Sequence, residues 1–110
     1  MALVDLDELR TFVQVVDSRS LTAAARALGV TKNAISRRLM RLEERVGARL
    51  VQRSTRRLAP TDDGLCLYRD GVAILRAADE AQDRIDRRAA GLRGVVKLAT
   101  PEYFARLLTR

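Results

Sequence analysis

The stretch that most constrains this chain is Thr31 to Gly47, TKNAISRRLMRLEERVG. Ile35, Leu39, Leu42 and Val46 recur at steps of four, three and four, the spacing of one apolar stripe on an α-helix. Thr31 stands where an N-cap belongs, and Gly47 where a helix stops. The other faces carry Lys32, Asn33, Ser36, Arg37, Arg38, Arg41 and Arg45. An apolar back with a cationic front, and short polar side chains in the first two turns, suits a helix whose N-terminal half enters a nucleic-acid groove.

The location of the charge supports that reading. The 110 residues carry a net charge of +7. Thr31 to Arg57 holds nine Lys/Arg against two Asp/Glu, and the rest of the chain balances. A basic surplus confined to one helix and the segment after it is the footprint of phosphate binding, whereas a merely solvated face would mix in more acids. Length and an apolar fraction of 47% allow one domain with a real core. Histidine is absent and Cys66 is the single cysteine, which removes the commonest general base, the commonest zinc ligand and any disulfide framework. No metal site, no catalytic constellation, no membrane span and no signal peptide is expected, and the chain reads as cytoplasmic.

In chain order, Leu3 to Ser18 reads as a first helix with Leu6, Leu9, Phe12, Val13 and Val16 inward and Asp5, Asp7 and Glu8 in its first turn. Arg19-Ser20 turns the chain. Ser20 caps a short alanine-rich helix, Leu21 to Leu28, and Gly29 to Thr31 leads into the basic helix. Two helices joined by a tight glycine turn, the second basic, form a helix-turn-helix. Arg49 to Gln52 and Arg57 to Ala59 read as strands around the tip Arg53 to Arg56, a two-stranded wing of the kind that lies along a minor groove. Pro60 ends the second strand.

Thr61 caps a helix expected to run to about Ala90, with Asp62 and Asp63 in its first turn. Leu65, Tyr68, Val72 and Leu75 are expected to pack back on the domain. A second line of Leu67, Gly71, Ile74, Ala78, Ala81 and Ile85 keeps mostly to alternating steps of four and three, a seam suited to a partner helix. A single exposed amphipathic helix is the plainer alternative. A membrane-surface helix fits poorly, because the segment has seven acids against five bases. Gly91 to Gly94 reads as a hinge, Val95 to Ala99 as a strand and Glu102 to Thr109 as a helix, the first piece of a second domain.

The chain resembles the bacterial LysR-type transcriptional regulators over residues 5 to 90. The resemblance is carried by LRTFV at Leu9 to Val13, by Ser20, Thr22, Ala24, Ala25, Leu28, Ser36, Arg37, Leu42 and Glu43 within Ser20 to Leu50, and by RSTRRLAPTDDG at Arg53 to Gly64. It implies a mainly α fold: a winged helix-turn-helix in residues 1–60, a linker or dimerisation helix in 61–90, and in 91–110 a hinge and the start of a truncated effector domain. It implies a homodimer, joined through the linker helix, that binds an interrupted palindrome in double-stranded promoter DNA.

By motif position, the resemblance places Lys32, Asn33, Ser36 and Arg37 at bases and phosphates. Ser20 and Thr22 fall at a phosphate on a helix N-terminus, and Arg56 in the minor groove. Thr31, Arg53 and Thr55 join the same expected surface, and Arg38 and Arg41 are phosphate clamps or simply exposed. Lys32 stands where relatives often carry glutamine; Gln pairs with adenine, whereas Lys donates to guanine acceptors or phosphate. Arg45, Glu43 and Glu44 read as pairs within the helix, and Cys66 as a small buried apolar residue. No cofactor is expected in this segment, and a small-molecule inducer only in a full-length relative, near the position of Thr100. The sequence thus points to a sequence-specific DNA-binding regulator. The alternative is a truncated interaction module that dimerises through the linker helix and antagonises or scaffolds a full-length regulator. An enzyme is not expected.

Overall fold

The computed structural model describes residues 5–53 and 58–98. Four helices and one small sheet follow one another: α1 (Leu6–Ser18), α2 (Leu21–Leu28), α3 (Lys32–Val46), β1 (Val51–Arg53), β2 (Leu58–Pro60) and α4 (Asp62–Leu98). This is the expected winged helix-turn-helix with a long helix after it. Two compact units divide the chain, residues 1–75 and 76–110.

The helix ends are set by side chains that accept from free backbone N–H groups. The Asp5 carboxylate accepts from the Asp7 and Glu8 N–H groups at 2.8 and 3.1 Å. Ser20 Oγ accepts from Ala23 N–H and Thr31 Oγ1 from Ala34 N–H, both at 3.1 Å. Between α2 and α3, Gly29 takes φ +68°, a left-handed conformation that a Cβ would strain. The Val30 N–H then donates to Ala25 O at 3.0 Å, so the turn is closed before α3 begins.

The core of the first unit draws on all four helices and on the start of the wing. Leu9, Phe12 and Val15 of α1, Ala24 and Ala25 of α2, Ile35, Leu39 and Leu42 of α3, Leu50 and Val51 at the wing, and Leu75 of α4 are buried together. Each large member gains roughly 1.5–3 kcal/mol from leaving water. Two expectations are corrected here. Leu6 and Val46 are exposed and Val15 is buried instead, because the first turn of α1 and the last turn of α3 run past the core. Two buried polar residues have partners: Arg45 Nε lies 3.2 Å from Glu8 Oε1, and Thr11 Oγ1 donates to Asp7 O at 2.8 Å.

The wing is an antiparallel pair with Val51 opposite Pro60, Gln52 opposite Ala59 and Arg53 opposite Leu58. Pro60 therefore lies within β2, at its last position, and Arg53 belongs to β1 rather than to the tip. Residues 54–57, with the expected DNA contacts Thr55 and Arg56, lie outside the described residues.

α4 begins against the wing. Thr61 Oγ1 accepts from Gly64 N–H at 3.0 Å and donates to Arg49 O at 2.6 Å. A Cβ on Gly64 would come within 2.0 Å of Leu50 O, so only glycine allows this approach. Tyr68 donates its hydroxyl hydrogen to the Asp17 carboxylate, tying α4 to the end of α1. Leu67 and Tyr68 pack on the core, while Leu65 and Cys66 are exposed, which corrects the inward placement expected for both. At 100° per residue Cys66 points to the side of the helix opposite 68, 71 and 75, whereas Leu65, about 60° from Tyr68, lies at the margin of that face.

In the second unit α4 continues as helix to Leu98. The hinge expected at Gly91 to Gly94 and the strand expected from Val95 are thus corrected to helix. An interior glycine costs a helix only about 1 kcal/mol, and an apolar run as short as Val95-Val96 does not distinguish strand from helix. Residues 99–110, including Thr100 and the expected last helix, lie outside the described residues. Among the described residues no helix is long and apolar enough to cross a membrane.

Two outcomes follow from these contacts. Gly64→Ala is expected to destabilise the chain by about 1–3 kcal/mol, since the new methyl meets backbone rather than a flexible side chain; urea unfolding measures it, and an unchanged midpoint would contradict the close approach. The bond to Asp17 holds the Tyr68 phenol above its ordinary ionisation range, with loss of hydration and the carboxylate's charge adding to it. Because the folded-state pKa is the higher one, this contribution to stability is whole below about pH 10 and fades as pH rises past it. Asp17→Asn is expected to bring the phenol back toward about 10. Phenolate absorbance in a Tyr103→Phe background reads that shift, and an unmoved titration would contradict it.

Candidate nucleic-acid interface

The buried stripe of α3 decides what its other faces present. Ile35, Leu39 and Leu42 are fully buried, so the side of the helix opposite them must face solvent. Lys32, Asn33, Arg37, Met40 and Arg41 are exposed on the outward faces, and Ser36 is half-buried beside them. Lys32 and Asn33 in the first turn, and Ser36, Arg37 and Arg41 further along, give a surface with donors at two depths. Among the described residues, Lys32, Arg37 and Arg41 have no carboxylate partner and are exposed to solvent.

The remaining expected contacts are arranged differently. Thr31 and Ser20 use their side-chain oxygens as N-caps of α3 and α2, with Thr22 exposed in the first turn of α2. Arg38 is half-buried and donates from Nη1 to Thr11 Oγ1 at 3.4 Å, so it braces α3 against α1. Arg45 pairs with Glu8 of α1, Nε to Oε1. Among the described residues Glu43 pairs across to another element rather than along α3. Its Oε2 accepts from Leu50 N–H at 2.8 Å, and its Oε1 lies 3.3 Å from Arg53 Nη2. Arg53 is therefore a partnered cation at the start of the wing.

Of the expected seam, Leu67 and Gly71 face the chain's own core: a Cβ on Gly71 would meet the Leu9 and Val13 side chains at 3.0 and 3.3 Å. Ile74 is exposed in the first unit; in the second, Ala78 and Ala81 are half-buried and Ile85 is exposed. Among the described residues no group of three or more His, Cys, Asp and Glu side chains is placed to hold a metal ion.

Two features escaped the sequence reading. Met40 is exposed, one helical turn from Ser36 and Arg37, and its position two turns from Asn33 was the available signal. Glu43 bridging to the wing had no signal in helical spacing, because its partners lie in another element.

Residues 6–65 match the family described as "Bacterial regulatory helix-turn-helix protein, lysR family". The chain is 38% identical over 103 residues to the probable HTH-type transcriptional regulator LtrA of Klebsiella pneumoniae, covering 94% of this chain and 33% of LtrA. It is 40% identical over 91 residues to the HTH-type transcriptional regulator BudR of Klebsiella aerogenes, covering 83% of this chain and 64% of BudR. Its fold is similar to that of BenM_DBD in its complex with benA site 1 DNA, with a TM-score of 0.74 and 33% identity, covering 80% of this chain and 99% of that one. The chain thus spans about a third of the length of LtrA.

Proposed function

The chain belongs to the lysR family of bacterial regulatory helix-turn-helix proteins, and from that premise we propose that it binds double-stranded DNA sequence-specifically as the DNA-binding part of a transcriptional regulator. The observation that carries the reading is the outward side of α3, where Lys32, Asn33, Arg37 and Arg41 are exposed behind a fully buried stripe. Asn33, Lys32, Ser36 and Arg37 supply base-edge donors and acceptors, Arg41 and the N-termini of α2 and α3 contact phosphate, and the wing follows the adjacent minor groove. The fold similarity to a DNA complex supports this over the alternative of a dimerising module that does not read DNA.

The proposal extends to assembly and context. Two copies pair through α4, using Ile74, Ala78, Ala81 and Ile85, and so present two α3 helices to an interrupted palindrome. The regulator acts on DNA in the cytoplasm and performs no catalysis. A small-molecule inducer belongs to the remainder of a full-length relative.

Selection from a random duplex pool at two salt concentrations tests the reading. Enrichment of a palindrome with two half-sites is expected. Steeply salt-dependent binding that enriches no sequence would overturn it. On the enriched duplex, Arg37→Ala is expected to cost about 1–3 kcal/mol and relax the preference at one base pair. Arg41→Ala is expected to weaken all sequences alike and lower the salt slope by about one. The opposite assignment in a binding titration would contradict the division of labour.

A further inference from the structure

A reading helix and a wing meet one duplex together only if the angle between them is fixed. Between α3 and β1 the backbone offers little to fix it, since only Gly47 to Leu50 join the two elements. The side chain that bridges them is Glu43, in the fourth turn of α3. One carboxylate oxygen accepts from Leu50 N–H at 2.8 Å, and the other lies 3.3 Å from Arg53 Nη2 at the end of β1. Leu50 C=O accepts from Thr61 N–H at 3.0 Å. Both backbone polar groups of this fully buried residue are thereby used, one toward α3 and one toward the start of α4.

Burial and strand pairing hold the same segment independently of this bridge. Leu50 and Val51 are held by burial, and β1 by its pairing with β2. The second contact, to Arg53, is partly exposed and adds little burial, yet it fixes β1 at a second point three residues beyond the first. Two points of attachment define a direction, which one does not. A carboxylate on a helix that faces phosphates also repels them. Here that charge is offset by Arg53, and the carboxylate's geometry serves the wing.

Resting on the DNA-binding reading above, we propose that Glu43 is a positioning residue for DNA recognition, which holds the wing at a fixed angle to α3 so that the two engage one duplex in register. It touches no base. It acts through Leu50 and Arg53.

The test compares the unsubstituted chain with Glu43→Ala and Glu43→Gln on the selected duplex and on duplexes changed at single base pairs, with the thermal midpoint recorded for each variant. Glu43→Ala is expected to lose preference at the base pairs flanking each half-site by roughly tenfold, the lower part of the range for one base readout, while discrimination inside the half-site persists. Glu43→Gln keeps an acceptor for Leu50 N–H and is expected to recover part of the loss. Should Glu43→Ala fail to fold, Arg53→Met leaves the Leu50 bond in place and is expected to give a smaller shift of the same kind. Unchanged flank preference in the folded variants, or a loss spread evenly over all base pairs, would overturn the proposal. If the unsubstituted chain itself discriminates no sequence, the DNA-binding reading fails and the proposal with it.

Discussion

The burial of Ile35, Leu39 and Leu42 is the constraint on which the rest depends. Three side chains on one stripe fix the rotation of α3 about its own axis, because turning the helix would expose them at about 1.5–3 kcal/mol each. Once that rotation is fixed, so is the direction of every other side chain on the helix. Lys32, Asn33, Arg37 and Arg41 face outward as a consequence of hydrophobic burial, and the charge of Lys32, Arg37 and Arg41 is not offset by any carboxylate among the described residues. Core formation and display of this outward basic face are thus one event.

The polar contacts around α3 divide by whether they brace the helix or leave it free to bind. Arg38 to Thr11 and Arg45 to Glu8 hold α3 on α1. Glu43 holds the wing, and Thr61 and Gly64 hold the wing on α4. Several of the arginines that make the segment basic are therefore structural. The local surplus of charge marks the right segment but overstates the number of cations available to DNA.

Much of this was legible in the sequence. The extents of α2 and α3, their caps at Ser20 and Thr31, and the wing followed from periodicity and capping residues, which act within a few positions of chain. What was not legible depended on where one element ends against another. Val46 and Leu6 fit their stripes but lie beyond the core. Cys66 was placed inward by its apolar neighbours, although adjacent helical residues point 100° apart. Glycines at 91 and 94 suggested a hinge, yet α4 passes through both as helix. Tyr68 with Asp17, and Glu43 with Leu50 and Arg53, join residues that no local pattern connects. The face of α3 was therefore readable in advance, while the bracing around it was not.

The central claim is that α3 reads DNA with the side its core stripe leaves outward. The most direct measurement is residue-resolved NMR of the chain titrated with a selected duplex. The account predicts that the largest amide and side-chain shifts fall on Lys32, Asn33, Ser36, Arg37 and Arg41, with Ala78 to Ile85 unmoved. Shifts concentrated on Ala78 to Ile85, with α3 silent, would contradict it.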